Sequence, residues 1–241
     1  MKEVKPYKHS SSGKSEQVEM MFDNIAKRYD FLNHLLSLGI DKMWRKKAIQ
    51  LLTYDKPKSV LDIATGTADF AIAALKLKPE RIVGVDISEK MLNIGRKKIL
   101  KLELENKISL LKCSSEKLPF NDNTFEAATV AFGVRNFENL NQGLKEIYRV
   151  LMPEGNIVVL EFAHPKTFPV KQLYTFYSKT ILPLAGRLIS KDKAAYTYLP
   201  ASIDKFPSGH KFLEELSKAG FKDTFYKKLS FGIVNIYKAK K

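Results

Sequence analysis

Ten residues decide the fold of this chain: Val60-Leu-Asp-Ile-Ala-Thr-Gly-Thr-Ala-Asp69. The apolar residues at its start predict a short buried strand, and Gly66 with its small neighbours predicts a tight turn. The segment Phe70-Ala-Ile-Ala-Ala-Leu75 that follows is typical of the start of a helix. A strand, a small-residue turn and a helix place backbone N–H groups and the positive end of a helix dipole beside a cleft. The stretch therefore predicts a ligand-binding loop in an α/β fold.

A carboxylate is expected close to this loop. Asp86 lies 20 positions after Gly66, at the end of a second apolar strand, Arg81-Ile-Val-Gly-Val85. In that position a carboxylate can accept hydrogen bonds from both hydroxyls of a ribose. The two features together predict a nucleotide-like ligand. The simpler alternative is an ordinary α/β turn with a capping Asp.

The loop lacks the glycines of a dinucleotide site. A G-x-G-x-x-G loop would have glycine at the positions of Ala64, Gly66 and Asp69, and only Gly66 is glycine. Asp69 would also bring a negative charge close to a pyrophosphate. These residues favour a ligand with a ribose and a cationic or zwitterionic tail, and S-adenosylmethionine is such a ligand. Asp62 or Asp69 could then hold its ammonium group or favour its positive charge.

Length and composition indicate a single soluble domain. The chain has 241 residues, of which 44% are hydrophobic and 28% charged. No apolar run approaches the ~18–20 residues of a membrane span, the N-terminus lacks a secretory signal, and the single Cys113 cannot form an internal disulfide. We therefore expect a cytoplasmic protein. The formal net charge of +15 suits nucleic acid or an anionic membrane surface, or reflects lysines scattered over solvated faces.

Strand and helix patterns alternate along the chain after residue 57. The predicted strands are 59–64, 81–86, 107–112, 125–132, 155–162, 221–229 and 231–238, and the predicted helices are 69–76, 88–102, 139–151 and 212–221. This alternation favours a parallel, doubly wound α/β sheet, closed by an antiparallel C-terminal hairpin. Ligands bind such sheets at the carboxyl ends of the strands. The loops expected there carry Gly66, Asp86, Cys113–Ser115 and Phe132–Asn136.

Two segments depart from this alternation. Residues 1–16 are polar and predict a mobile arm, before one domain over 17–241. Apolar residues in 17–56 recur at helical spacing, interrupted at 29–34, and predict helices that form a lid over the cleft or pack into the core. Residues 163–206 predict one or two amphipathic helices inserted after the fifth strand. Their apolar face could be core, line an oily channel or touch lipid.

Several motifs coincide with those of one family. They are Phe22-Asp-Asn-Ile-Ala-Lys-Arg-Tyr-Asp-Phe-Leu-Asn33, Glu116-Lys-Leu-Pro-Phe-Asn-Asp-Asn-Thr-Phe125, Phe132-Gly-Val-Arg-Asn136, Tyr148-Arg-Val-Leu-Met-Pro153 and Leu160-Glu-Phe162. From about residue 18 to the C-terminus, the chain resembles the ubiquinone/menaquinone biosynthesis C-methyltransferases. The resemblance implies a Rossmann-like, seven-stranded methyltransferase sheet, mostly parallel, with helices on both faces and an N-terminal helical lid.

The resemblance also implies the reaction. A methyl group would pass from S-adenosylmethionine to a ring carbon of a polyprenyl quinol, demethylmenaquinol in the first place, with a ubiquinone precursor or another small phenol as alternatives. Arg135, Asn136 and Tyr29 would lie on the substrate side, where Arg135 stabilises a phenolate and relays its proton through water. No metal is expected. The predicted cofactor-binding residues are Thr67, Asp86, Ser114, Ser115, Asp62 and Gly66.

The expected partners follow from a quinol that lives in a bilayer. We expect an anionic membrane surface to bind the basic protein peripherally, partly through residues 165–195, and no nucleic acid; the family suggests a homodimer. Rival interpretations are a methyltransferase of a soluble phenol, sterol or amine, an RNA methyltransferase and a catalytically inactive binder. Several residues depart from the family pattern, among them Met152, Glu154 and Ala163. Ala68 replaces a usual glycine, which would cost affinity if that position needs a positive φ, and Asp41 replaces a usual histidine.

Overall fold

One sheet organises the chain. The computed structural model describes residues 4–7, 10–37, 39–181 and 193–241. Within these residues the strands are β1 Ser59–Ile63, β2 Arg81–Asp86, β3 Ile108–Lys112, β4 Phe125–Ala131, β5 Leu151–Phe162, β6 Lys222–Leu229 and β7 Val234–Lys240. Their order in the sheet is β3-β2-β1-β4-β5-β7-β6. β1 to β5 are parallel, and β7 is antiparallel to both of its neighbours. The predicted doubly wound sheet with an antiparallel C-terminal hairpin is confirmed.

Eight α-helices accompany the sheet within the same described residues. They are α1 Lys14–Leu36, α2 Ile40–Gln50, α3 Asp69–Ala74, α4 Glu89–Lys101, α5 Leu140–Val150, α6 Val170–Phe176, α7 Lys193–Lys205 and α8 His210–Lys218. A π-helical turn, Tyr177–Ile181, follows α6, and a 3-10 turn, Val134–Asn136, follows β4. No helix among the described residues is long and apolar enough to cross a membrane.

Apolar cores cover both faces of the sheet. Successive residues of a strand point to opposite faces, so neighbours in β1 and β5 belong to different cores. Val60 and Val158 pack with α2, α3 and α4, whereas Leu61 and Val159 pack with α5 and α8. The expectation of helices on both faces is therefore confirmed, and the carboxyl ends of the parallel strands are left for a site.

The element boundaries differ from the prediction in several places. The interruption expected at 29–34 is wrong, because α1 continues through it to Leu36. Its polar residues have partners outside the core, since Asp30 pairs with Lys98 of α4 at 2.6 Å. β5 begins at Leu151 instead of residue 155, because the chain already pairs with Phe125 there before a register shift. The last strand begins at Val234, after a 3-10 turn at 230–232.

Parts of the predicted segments lie outside the described residues. These are Leu38 of the N-terminal helices and residues 182–192 of the amphipathic insertion. The described parts of the insertion are α6, the π-helical turn and α7. The division into a mobile arm, a helical lid and an insertion stays a prediction.

Candidate active site

A crevice lies where the order of the parallel strands reverses, between β1 and β4. Its wall is formed by the residues that follow β1, β2, β3 and β4, the four loops that were expected to meet. Helix α1 covers it from the other side. The structure therefore brings together four predicted cofactor residues and two predicted substrate residues in this crevice: Gly66, Asp86, Ser114, Ser115, Asn136 and Tyr29.

Asp86 is the acid of this crevice that binds the loop after β1. Its two carboxylate oxygens accept hydrogen bonds from the backbone N–H groups of Gly66, at 2.8 Å, and Ser88, at 2.9 Å. Burial raises the pKa of Asp86 to about 6, although these N–H groups favour the ionised form. Each carboxylate oxygen can accept a further hydrogen bond. Two adjacent hydroxyl groups would satisfy it and stabilise its charge.

The loop after β1 depends on an unusual backbone. Ala64, Gly66 and Ala68 all have positive φ angles, of 53°, 57° and 67°. A Cβ atom at Gly66 would meet no other atom within 4 Å, so the loop presents bare backbone there. Position 68 therefore does need a positive φ, the condition raised from the sequence, and an alanine occupies a left-handed conformation that glycine adopts more easily. A close approach by Gly133 supports the same loop, since a Cβ atom there would lie 2.5 Å from the Cβ of Ala64.

Asp62 lies beneath this loop instead of in the crevice. It is fully buried, and its oxygens accept hydrogen bonds from the hydroxyls of Thr65, at 2.6 Å, and Thr129, at 2.7 Å. Burial raises the pKa of Asp62 to about 6, despite these two hydrogen bonds. Asp62 is not among the residues that line the crevice. Its geometry fits a residue that fixes the loop.

Thr67 also faces away from the crevice lining. Its hydroxyl donates to Asp30 of α1, at 2.6 Å, and accepts from Lys98 of α4, at 3.0 Å. Lys98 bridges Asp30 at 2.6 Å and Asp69 at 2.7 Å. The sequence indicated Asp69 as a partner for the ammonium group of the ligand, but in the structure Asp69 already binds the ammonium group of Lys98. This group of side chains connects the cofactor loop to the helix that covers it.

A second, larger cavity adjoins the crevice. It has a volume of about 270 Å³, close to the lower limit of ~300 Å³ for small-molecule sites. Helices α1, α2 and α7, the insertion around α6 and the turn before β7 enclose it. Its polar wall residues are Tyr29, Asn33, Ser37, Asp41, Arg45, Arg135, Tyr174, Tyr177, Tyr198 and Ser230. Most of the remaining wall is aromatic or aliphatic, as a flat apolar ligand requires.

Three aromatic residues, Phe22, Tyr29 and Phe132, line both the crevice and the cavity. Phe132 has a φ of 58°, which is rare for a bulky side chain. Its ring stacks on Phe162 with centroids 4.4 Å apart and meets Trp44 edge to face. A strained backbone held by packing at this junction is typical of a functional position. The two spaces therefore meet at a fixed aromatic boundary.

Arg135 is held by a buried acid. Its guanidinium pairs with Glu161 of β5 at 2.7 Å and also donates to the carbonyl of Phe132. Glu161 is fully buried and accepts the backbone N–H of Phe162 at 2.9 Å. Burial raises the pKa of Glu161, even though the Arg135 charge beside it favours the carboxylate. The salt bridge orients Arg135 on the cavity wall.

The other two predicted substrate residues flank Arg135. Burial raises the pKa of the Tyr29 phenol, and the charge of Arg135 only partly opposes this shift. Asn136 lines the crevice and accepts a hydrogen bond from the hydroxyl of Tyr198, at 3.2 Å. Tyr198 itself lines the cavity. Arg135, Asn136 and Tyr29 thus surround the junction of the two spaces, with Arg135 on the cavity side and Asn136 on the crevice side.

Comparison with known proteins shows which family this chain belongs to. The model of the ubiE/COQ5 methyltransferase family matches residues 10–241. The chain belongs to this family. It is 51% identical over 239 residues to the demethylmenaquinone methyltransferase of Bacteroides fragilis, covering 99% of this chain and 97% of that one.

Two further proteins are similar to this methyltransferase. The ubiquinone/menaquinone biosynthesis C-methyltransferase of Geotalea daltonii is 43% identical over 230 residues, covering 95% of this chain and 97% of that one. A solved SAM-dependent methyltransferase from Thermotoga maritima superposes with a TM-score of 0.63 at 22% identity, covering 92% of this chain and 99% of that one. At that identity the structural match shows the fold alone. The sequence-based resemblance is confirmed.

Sequence reasoning missed the ion pairs of this enzyme's cavity region. It did not predict that Glu161 pairs with Arg135 or that Asp41 pairs with Arg45. Glu161 was visible as the one acid in the otherwise apolar run Ile157–Phe162. Asp41 and Arg45 were visible as an (i, i+4) pair of opposite charge beside Trp44, whose side chain is buried. The predicted departure at Asp41 therefore has a structural role, because its carboxylate binds Arg45.

Proposed function

We propose that this methyltransferase transfers a methyl group from S-adenosylmethionine to a ring carbon of a polyprenyl quinol, demethylmenaquinol in the first place. One observation carries the proposal: the crevice and the aromatic cavity share Phe22, Tyr29 and Phe132. A nucleotide-like donor and a flat apolar acceptor would therefore meet at one boundary. The name of the Bacteroides fragilis relative supports a naphthoquinol, and that of the Geotalea daltonii relative keeps a ubiquinone precursor as the alternative.

The donor side fits S-adenosylmethionine. Asp86 would accept both ribose hydroxyls, Gly66 would bring bare backbone against the ligand, and Ser114 and Ser115 would contact the adenine. Asp62 and Thr67 would act from behind the loop by fixing its shape. When bound, S-adenosylmethionine supplies an electrophilic methyl group on a sulfonium.

The acceptor side must make a ring carbon nucleophilic. A phenol ring becomes so when its hydroxyl loses a proton, because the phenolate pushes electron density into the ring. A guanidinium stays protonated in proteins and cannot act as a base, so the role of Arg135 would be to stabilise the phenolate while water takes the proton. Glu161 would orient Arg135, and Tyr29 and Asn136 would position the ring oxygen. The ring carbon then gains the methyl as the carbon–sulfur bond breaks, and the ring C–H proton is lost to solvent.

The test is direct turnover. Purified protein is incubated with S-adenosylmethionine carrying a labelled methyl group and a short-chain demethylmenaquinol kept reduced, and the product is analysed by mass spectrometry and NMR. We expect one labelled methyl on the ring carbon, and its loss in Arg135→Met. A matched benzoquinol acceptor in a parallel reaction tests the ubiquinone alternative. Methylation on oxygen, or turnover of neither quinol, would refute the proposed function.

The proposal includes a membrane surface from which the acceptor enters. Large apolar side chains are exposed in two segments that also contribute residues to the cavity wall. Phe168 of the insertion is 81% accessible, and Phe231 of the turn before β7 is 80% accessible. Helix α6 buries none of its residues; the exposed Lys171 lies within it, and the exposed Lys166 precedes it. Exposed apolar side chains with lysines close to them in the chain, on a protein of net charge +15, suit an anionic bilayer.

Vesicle binding tests this part. Wild-type protein should sediment with vesicles that contain anionic lipid at low salt and be released by high salt. The double variant Phe168→Ser/Phe231→Ser should sediment less, whereas Tyr54→Ser, at an exposed aromatic that lies in neither the insertion nor the turn before β7, should not. Equal sedimentation with neutral and anionic vesicles would refute the electrostatic component. The homodimer and the cytoplasmic location stay predictions, the first open to analytical ultracentrifugation.

A further inference from the structure

The cavity wall contains two arginines, Arg45 of α2 and Arg135 after β4. Both are buried, with side chains 10% and 8% exposed. Each has a terminal nitrogen paired with a carboxylate: Arg45 with Asp41, and Arg135 with Glu161. Sequence reasoning gave a role to Arg135 alone. The structure makes Arg45 its counterpart on the cavity wall.

Both arginines leave the same atom unpaired. Within the described part of the chain, neither Arg45 Nε nor Arg135 Nε has a hydrogen-bond acceptor, although both atoms are buried. A buried N–H without an acceptor is unfavourable, and native structures contain few of them. Two such donors on the wall of one cavity indicate a ligand that carries two acceptor oxygens.

The position of Tyr29 supports the same conclusion. Its hydroxyl responds to the charges of both Arg45 and Arg135, which both favour its ionised form. Tyr29 also lines the crevice as well as the cavity. The two guanidinium groups therefore act on the space beside the junction, where the reacting ring would lie.

Arg45 is held in place as firmly as Arg135. The Asp41 carboxylate accepts hydrogen bonds from Arg45 and, at 2.7 Å, from the Ser37 hydroxyl. The Nδ1 atom of His34 lies 3.0 Å from the same carboxylate. A second acid, Asp69, lies 3.7 Å from the other terminal nitrogen of Arg45. One terminal nitrogen of Arg45 is hydrogen-bonded to Asp41 and the other lies within ion-pair distance of Asp69, whereas its buried Nε–H has no acceptor among the described residues.

We propose that Arg45 binds the second oxygen of the acceptor. Arg135 stabilises the oxygen beside the methylated carbon, and the Arg45 Nε–H donates to the oxygen on the opposite side of the same ring. This inference rests on the proposed function, and it deepens it: the site selects rings with two oxygens in a 1,4 arrangement over simple phenols. A simple phenol would bind less well, because it has no second oxygen to accept the Arg45 Nε–H, and that buried donor would stay unpaired in the complex.

Two acceptors that differ by one oxygen test this inference. One is the short-chain naphthoquinol, and the other is the matched naphthol that keeps only the hydroxyl beside the methylated carbon. We expect wild-type kcat/KM to favour the quinol by about tenfold or more, the effect of one hydrogen bond to a charged group. Arg45→Met should lower kcat/KM for the quinol by the same factor and leave the naphthol unchanged, so that the preference is lost.

The control variant is Arg96→Met, because Arg96 pairs with Glu89 on an exposed helix face and lines neither space. It should keep the wild-type preference. Equal losses for both acceptors in Arg45→Met would overturn the inference, since a residue that merely clamps α2 would affect both alike. So would a wild-type enzyme that methylates the two acceptors equally, an outcome that needs no variant to fold.

Binding separates this inference from the proposed function. The single tryptophan, Trp44, lines the cavity, so its fluorescence reports acceptor binding without turnover. If neither acceptor is methylated, the proposed reaction fails, but tighter binding of the quinol that disappears in Arg45→Met would still support two-oxygen recognition. Equal binding of quinol and naphthol by the wild-type protein would overturn it.

Discussion

The crevice and the cavity are adjoining spaces built in different ways. The crevice is shaped mainly by backbone: the ends of four parallel strands and three positive φ angles after β1, with the Asp86 carboxylate held against the loop. The cavity is shaped by side chains from α1, α2, α6 and α7, which surround the strand ends instead of forming the sheet. Its polar groups are held by buried ion pairs, Arg135 with Glu161 and Arg45 with Asp41.

This difference separates binding of the methyl donor, which methyltransferases of this fold share, from recognition of the acceptor, which differs between them. A crevice made of strand ends serves any methyltransferase of this fold, because every acceptor shares one donor. Under the proposed function, the acceptor would be recognised by the turn after β4 together with elements added before β1 and after β5. Those added elements can change without disturbing the sheet. We therefore expect substitutions in one space to leave binding in the other nearly unchanged, and the following predictions examine that separation.

The largest expected effect concerns the ion pair of the cavity. Arg135→Met should lower the free energy of unfolding by about 3–5 kcal/mol, because it leaves the buried Glu161 carboxylate without its cation. Chemical denaturation measures this. The double variant Arg135→Met/Glu161→Gln should recover most of the stability, since a neutral amide oxygen can still accept the N–H of Phe162. Turnover should stay lost in both variants.

A double variant as unstable as Arg135→Met would contradict this account, because the destabilisation would then come from packing and not from charge. Donor binding by calorimetry should be close to wild type in both variants at a temperature where they are folded. A parallel loss of donor binding would mean that the cavity supports the crevice, and the two spaces could no longer be treated as independent.

The next effect belongs to the crevice. Asp86→Ala should weaken binding of S-adenosylmethionine by ~2–4 kcal/mol, since each hydrogen bond to a charged group contributes ~1.5–3 kcal/mol. Quinol binding, followed by Trp44 fluorescence, should change little. Asp55→Ala removes an acid that pairs with Lys238 and lines neither space, and should have no effect on either ligand. Unchanged donor affinity in Asp86→Ala would remove Asp86 from the donor site.

Donor binding should also depend on pH through Asp86. Its pKa in the unliganded protein is raised to about 6 by burial, and donation by two ribose hydroxyls would lower the pKa in the complex. The ionised form therefore binds more tightly, so affinity should be constant above pH 6 and fall by up to about tenfold per pH unit below it. Calorimetry between pH 5 and 7.5 measures this dependence.

Asp86→Asn isolates this titration. Asp62 has a pKa raised to about 6 as well, so the wild-type profile alone cannot assign the group. The Asn variant should bind weakly at every pH, with a flat profile over this range. A slope that persists in Asp86→Asn would assign the titration to Asp62, and the loop beneath the ligand would then be the pH-sensitive element.

Local patterns made the sheet and the crevice predictable. The strand–turn–helix around Gly66 and the acid after β2 lie within one stretch of the chain, and parallel strands must end at one edge. The cavity was less predictable because its contacts join distant positions. The pattern of α1 also misled, since Tyr29 and Asn33 face the cavity and Asp30 faces the cofactor loop instead of the core. Broken periodicity there marked function and not a helix end.

Asp62 and Thr67 teach a related lesson. Both have the right residue type next to the right loop, yet the structure turns them toward Thr129 and Asp30, behind the crevice lining. Spacing along the chain predicts which loop a residue belongs to. It does not predict which side of the loop a side chain takes, because that depends on backbone angles set by neighbouring elements.

The smallest expected effect tests whether the crevice is preformed by backbone. Ala68→Gly relieves a left-handed alanine, worth ~1–2 kcal/mol, but loses ~0.5–1 kcal/mol to backbone entropy and about 0.8 kcal/mol of methyl burial. The net change in unfolding free energy should therefore stay within about 1 kcal/mol, and donor affinity should change less than about threefold. Denaturation and calorimetry measure the two quantities.

Ala68→Val is the matched contrast. A branched side chain fits poorly at a positive φ and would press against α4, where a Cβ at Gly95 would already lie 3.3 Å from the Cβ of Ala68. It should cost ~1–3 kcal/mol of stability and weaken donor binding. If Ala68→Gly instead tightened donor binding more than tenfold, the alanine would be holding the loop away from its ligand-bound shape. The crevice would then depend on side chains as the cavity does, and the contrast between the two spaces would fail at this residue.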